Sequence, residues 1–156
     1  MASRAGIGSE RIVNLRLLAY FHDVGKVCIP DSILLKPGPL DGDERKIMQS
    51  HVEIGRRIMN SISDLSQISE WILRHHEWWN GQGYPLGLKG EEIPVECRLL
   101  AIVDAYDAMI SDRPYRQAMS KEEAVAELRR CAGTQFDPWL VEKFIATLNS
   151  GSATGA

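Results

Sequence analysis

Long apolar runs are missing from these 156 residues. A helix that spans a bilayer needs about 20 consecutive apolar residues, and no stretch here approaches that length, so membrane insertion is not expected. The amino terminus, Met1-Ala2-Ser3-Arg4-Ala5-Gly6, has no apolar core of the kind a secretory signal needs, and the expected location is cytoplasmic. Cysteine is scarce: Cys28, Cys97 and Cys131 are odd in number, widely spaced and form no CxxC pair. That pattern supports neither a disulfide framework nor a cysteine zinc site, and all three are expected to be buried thiols. An excess of positive charge is also lacking. The net charge of −3 argues against a surface for DNA or RNA duplexes, although it leaves room for a local basic pocket that holds phosphate. Strict apolar–polar alternation, the mark of a half-buried strand, is almost absent.

What remains is one helix after another, which predicts an all-α domain over residues 1–149 and a small, polar, flexible tail over 150–156. Apolar positions three or four apart at Ile12, Leu15, Leu18 and Ala19 predict a helix capped by Ser9 and ended at Gly25. Pro30, Pro37, Gly38 and Pro39 predict a loop from Ile29 to Leu40. Asp41 with Glu44 reads as a capping box, opening a helix whose inward face is Ile47, His51, Ile54 and Ile58. A further helix is expected from Leu65 to His76. The stretch from Glu77 to Pro94 is too rich in glycine and proline for a regular element, and loops of that length in compact domains are often functional. A helix from Val95 to Ser111 is predicted to bury Leu99, Ile102, Val103, Tyr106 and Ile110. Two more follow, one capped by Ser120 with Glu123 and one opened by Asp137-Pro138.

The chain has four histidines, and their positions carry chemistry. His22 and Asp23 are adjacent at the close of an apolar helix, a carboxylate beside an imidazole that suits iron, manganese or magnesium better than thiolate-loving metals. Alone, such a pair is more often a capping aspartate next to a surface histidine. His51 lies on an apolar stripe and should face inward, where a histidine is more often a hydrogen-bonded core residue than a ligand. His75 and His76 end another apolar helix; side by side they repel when protonated, whereas a metal needs them neutral. Asp104 interrupts Leu99-Leu100-Ala101-Ile102-Val103 and would be costly to bury without a cation or hydrogen bonds. Asp107, one turn later, also fits an exposed stripe. Lys26, Arg113 and Arg116 are cations placed to meet phosphate, arginine by two-point contacts, although any one of them alone reads as a solvated charge.

In order, the blocks are His22-Asp23-Val24-Gly25-Lys26, Ile29-Pro30-Asp31, His51-Val52-Glu53-Ile54-Gly55, His75-His76-Glu77, Gly81-Gln82-Gly83-Tyr84-Pro85, Gly87-Leu88-Lys89-Gly90, Asp104-Ala105-Tyr106-Asp107-Ala108, Arg113-Pro114-Tyr115-Arg116 and Phe136-Asp137-Pro138. Together they resemble the HD-GYP phosphodiesterases, a branch of the HD metal-dependent phosphohydrolases. The resemblance implies an HD-domain-like helical bundle around a central site for two or three divalent ions, iron or manganese. It implies His22, Asp23, His51, His75, His76 and Asp104 as metal ligands, and His22, Asp23 and Lys26 as the catalytic group. Lys26, Gly83, Tyr84, Pro85, Arg113 and Arg116 become the substrate contacts. The implied reaction opens cyclic di-GMP to pGpG, with further cleavage to GMP. A homodimer and attached signalling domains are the protein partners to expect.

The chain departs from the family pattern upstream. An additional helix bearing a histidine and often a glutamate is usual before the HD pair, whereas the 21 residues before His22 hold no histidine, and Glu10 is their one carboxylate. The alternative expectation is therefore a truncated or degenerate module that binds a cyclic dinucleotide or a protein partner without turnover.

Overall fold

The computed structural model describes residues 9–112 and 117–151. Among them the chain is helical, with two isolated bridges and no strand. The helices are α1 (Ser9–Phe21), α2 (Asp31–Leu34), α3 (Gly42–Gln49), α4 (His51–Asn60), α5 (Ser66–Arg74), α6 (Val95–Ile110), α7 (Lys121–Arg130) and α8 (Pro138–Gly151). None is long and apolar enough to cross a membrane.

The helix α6 organises the bundle because it is apolar on two faces. Leu99, Ile102, Tyr106 and Met109 pack with Leu128 of α7 and with Leu140, Val141 and Phe144 of α8. Cys97 and Leu100 pack instead with Leu18 of α1, Met59 of α4 and Ile68 and Ile72 of α5. Each fully buried aliphatic side chain of this kind contributes about 1.5–3 kcal/mol of transfer free energy. The remaining face of α6 carries Val103, Asp104 and Asp107, all exposed. Val103 therefore does not join the core as expected.

Local capping chemistry forms as the sequence predicts. Asp41 Oδ1 accepts from the Asp43 and Glu44 N–H groups at 2.9 Å each, and Glu44 Oε2 accepts from Asp41 N at 2.9 Å. Ser120 and Glu123 repeat the box at α7. Asp137 Oδ1 accepts from Trp139 N at 2.9 Å and Leu140 N at 3.2 Å, while Oδ2 accepts from Arg98 at 2.6 Å, so the cap of α8 is tied to α6.

Other expectations are corrected. The helix predicted from Asp41 onward breaks at Ser50, whose Oγ donates to Ile47 O at 2.6 Å. Such back-bonding competes with the helical ladder. The buried face of α4 is His51, Val52, Gly55 and Met59, and Ile47 in α3 is 42% exposed. The predicted loop after Ile29 contains α2. The Cys28 thiol is exposed, Cys131 is half-buried, and only Cys97 of the three is buried. Helix α8 continues through Gly151.

Gly25 does not end a helix. It lies inside a 3-10 turn over Val24–Cys28 and is buried against α4. A Cβ at Gly25 would sit 2.0 Å from His51 O and 2.6 Å from Gly55 N, both backbone atoms. At Gly55 a Cβ would meet Ile72 Cγ2 of α5 at 2.9 Å. Gly25 thus lets the 3-10 turn approach α4 at backbone distance, and Gly55 leaves room for the Ile72 side chain of α5; the close packing brings Asp23, His51 and His75 to one place.

Candidate metal centre

Four donor groups converge at the junction of α4, α5 and the 3-10 turn. One ligand atom each from Asp23, His51, His75 and His76 lie within 4.8 Å of one another. His51 opens α4, His75 and His76 follow the last residue of α5, and Asp23 precedes the 3-10 turn. The His75 and His76 ring centroids are 4.0 Å apart, and that of His51 lies 5.5 and 5.1 Å from them.

The backbone sets the tautomers. The Nδ1 atoms of His22, His51 and His75 lie 2.9, 2.8 and 2.6 Å from the carbonyls of Ala19, Met48 and Ile72, each three residues earlier. A carbonyl can only accept, so Nδ1 carries the hydrogen and the lone pair of the neutral ring is on Nε2. In His51 and His75 that Nε2 is buried without a hydrogen-bond partner. Buried polar atoms are rarely left in this state, and two unpartnered lone pairs beside a carboxylate and a third imidazole form a donor set that fits a divalent cation.

Electrostatics favour the same species. Burial lowers the pKa of His51, against the opposing pull of the Met48 carbonyl and Asp23. Burial, reinforced by His76, holds His75 well below the ordinary range. Burial, reinforced by the repulsion that a second charged imidazole at His51 and the Lys26 ammonium would exert on a protonated ring, brings His76 to about 3. Burial alone would raise Asp23, but the hydrogen bond and charge of Lys26 outweigh it and leave its pKa lowered. Neutral imidazoles beside an ionised carboxylate are the protonation states a metal requires.

A pH dependence follows for the metal-free protein. His76 titrates at about 3 when folded against 6.5 unfolded, so over this window the unfolded chain binds the extra proton and stability falls as pH falls. Each unit of difference is worth about 1.4 kcal/mol. Urea unfolding between pH 7 and 4 should show stability lost from about pH 6.5 downward, with a shallower slope in a His76→Gln variant. Equal slopes would refute the assignment.

The remaining sequence candidates are distributed around this centre. His22 Nε2 lies 3.4 Å from Asp23 Oδ2 and 3.9 Å from Asp104 Oδ1, outside the four-donor group. The Asp104 side chain is 56% exposed and meets the centre through His22. Lys26 Nζ donates to Asp23 Oδ2 at 2.7 Å, while Asp23 Oδ1 faces His51 Nε2 at 3.5 Å. Tyr84 stacks on His76 with centroids 4.9 Å apart and planes at 26°. Gly83 and Pro85 flank it in the loop, and Gly83 is pressed against Trp78 N, which an added Cβ would approach to 2.2 Å. Arg113 and Arg116 lie outside the described residues. A cavity of about 300 Å³ opens beside the centre, lined by His75, His76, Trp78, Ala101, Asp104 and Gln135 among others. Glu77, a buried carboxylate next to the paired histidines, has no role that its sequence position alone discloses, although its place in the His75-His76-Glu77 block marks it.

Comparison with known proteins places the chain in a family. Residues 1–140 match the family described as HD domain. The chain is 42% identical over 147 residues to the cyclic di-GMP phosphodiesterase response regulator RpfG of Xanthomonas campestris pv. campestris, covering 93% of this chain and 39% of the relative. It is 43% identical over 144 residues to 3'3'-cGAMP-specific phosphodiesterase 2 of Vibrio cholerae, covering 91% of this chain and 28% of that one. In three dimensions it is similar to the crystal structure of a cyclic GMP-AMP specific phosphodiesterase from V. cholerae, with a TM-score of 0.73 at 20% identity over 95% of this chain and 41% of that chain. The chain spans about two fifths of the length of RpfG.

Proposed function

Because the chain belongs to the HD domain family, in its HD-GYP branch, we propose that it hydrolyses a phosphodiester bond of a cyclic dinucleotide, cyclic di-GMP first, at a divalent-metal centre. The observation that supports this reading most strongly is the four-donor group with its two unpartnered, buried Nε2 atoms. Asp23, His51, His75 and His76 would hold the ion, with His22 and Asp104 completing a second position, and iron or manganese suits the nitrogen and oxygen donors. Bound there, two or three such ions supply Lewis acidity at the phosphoryl group and the means to activate water near neutral pH.

The chain's own groups then bind and orient. The Ala19, Met48 and Ile72 carbonyls keep the Nε2 lone pairs of His22, His51 and His75 available. Lys26 steadies Asp23 and places a positive charge where a non-bridging phosphate oxygen would lie. Tyr84, whose pKa burial and the Asp23 charge raise, stays protonated and offers an O–H donor beside His76. Arg113 and Arg116 belong to the substrate contacts on their chemistry alone, since a guanidinium fork matches phosphate oxygens. In-line attack expels a ribose oxygen to give pGpG, and a second round gives GMP.

Protein loaded anaerobically with iron or manganese should convert cyclic di-GMP to pGpG or GMP, followed by chromatography. Because relatives of similar identity carry cyclic di-GMP and 3'3'-cGAMP in their names, the two dinucleotides belong in one assay. Binding of either without turnover under both metals would replace the enzyme reading with that of a binding module.

A further inference from the structure

Glu77 is 4% exposed and follows two of the four donors, yet its carboxylate is not part of their group. Its two oxygens are taken up by backbone amides. Oε1 accepts from Leu86 N at 2.7 Å and Oε2 accepts from Leu88 N at 3.0 Å. Both amides belong to the loop that carries Gly83, Tyr84 and Pro85. The near side of that loop is fixed by backbone contact. Tyr84 N donates to His76 O at 3.2 Å, and a Cβ at Gly83 would lie 2.5 Å from Glu77 Cα. The loop is thus tied at Tyr84, Leu86 and Leu88 to two consecutive residues, His76 and Glu77. Between the ties, the Tyr84 ring lies over His76.

We propose that Glu77 is a positioning residue that clamps the Leu86 and Leu88 amides and so holds Tyr84 against the metal-side His76. It touches neither ion nor substrate; it converts the end of α5 into a template for the substrate-facing loop. A carboxylate suits the task because it offers two acceptors and no donor. Glutamine in its place has one acceptor and must turn an NH₂ group toward a backbone N–H. Aspartate keeps both acceptors on an arm one methylene shorter. The part of the proposal that concerns the dinucleotide rests on the proposed function above; the clamp itself does not.

The test combines amide hydrogen exchange, metal analysis and dinucleotide binding on the full chain. In Glu77→Gln, exchange at Leu86 and Leu88 should accelerate by about tenfold or more, the scale of losing one charge-assisted hydrogen bond. Metal per chain should be unchanged, and the Kd or KM for cyclic di-GMP should rise by a similar factor with a smaller change in kcat. Glu77→Asp should restore part of the protection and of the affinity, a rescue that a generic packing role would not give. Wild-type exchange at both amides in Glu77→Gln, or loss of metal in step with affinity, would overturn the proposal. Should Glu77→Gln fail to fold, the unaltered protein decides: its Leu86 and Leu88 amides must be protected, and exchange at the rate of an unstructured peptide would refute the clamp. If the unaltered protein neither binds nor cleaves a dinucleotide, the proposed function fails while the exchange data still decide the role of Glu77.

Discussion

Asp23→Asn should empty the metal centre while leaving the fold in place. Asp23 is the sole carboxylate of the four-donor group, and its Oδ1 faces His51 Nε2 at 3.5 Å. Amide oxygen is a weaker, uncharged donor, so a divalent ion loses its one anionic partner there while Lys26 keeps its own positive charge nearby. Loss of an outer partner of a ligand already costs about 10–100-fold in affinity, so loss of this donor should cost more than about 100-fold. Turnover should fall with it. The side chain is 39% exposed and its hydrogen bond to Lys26 is part-buried and partly screened by solvent, so the stability of the metal-free protein should change by about 1 kcal/mol at most. Competition titration against a chromophoric chelator, with urea unfolding of the metal-free protein, measures both quantities. An Asn variant that holds its ion as tightly as the unaltered protein would remove Asp23 from the centre.

Gly25→Ala should be among the most damaging single methyl groups that can be added to this chain. The new Cβ would meet His51 O at 2.0 Å and Gly55 N at 2.6 Å. Neither is the end of a flexible side chain, so the 3-10 turn and α4 must separate. Overpacking of this kind costs about 1–3 kcal/mol where side chains can yield, and a backbone clash belongs at or beyond the upper end of that range. The separation acts on function as well, because it pulls Asp23 away from His51 and disperses the donors. Gly42→Ala is the comparison: no atom lies within 4 Å of a Cβ there, and its effect should stay within about 0.5 kcal/mol. Urea midpoints of the two variants would settle the matter, and equal midpoints would show that the close approach at Gly25 is not needed.

These two residues also show what a sequence can and cannot disclose. Asp23 was readable because it sits in a block whose chemistry is local: a carboxylate next to a histidine, repeated in spirit by His75-His76. The capping boxes at Asp41 and Ser120 were readable for the same reason, since each hydrogen bond spans three residues. Gly25 was recognisable as a glycine but not for its role, because the atoms that demand it, His51 O and Gly55 N, belong to a helix some 26 residues later. The inward face of the second helical segment lies one residue from the stripe of Ile54 and Ile58, because Gly55, which has no side chain to mark it, is the residue that meets Gly25 and Ile72. Asp104 interrupts an apolar run and so reads as a buried carboxylate, whereas α6 buries two other faces and leaves this one in solvent. Glu77 stood inside a recognised block, yet its partners are backbone amides nine and eleven residues away, and amides carry no sequence signature.

A metal held by Asp23, His51, His75 and His76 is what the proposed chemistry requires first. Anomalous diffraction at the iron or manganese edge, from crystals of anaerobically loaded protein, tests that most directly. A peak within bonding distance of Asp23 and the Nε2 atoms of His51 and His75 is the predicted result. Loaded protein without a peak among these residues, or with its peak elsewhere, would contradict it.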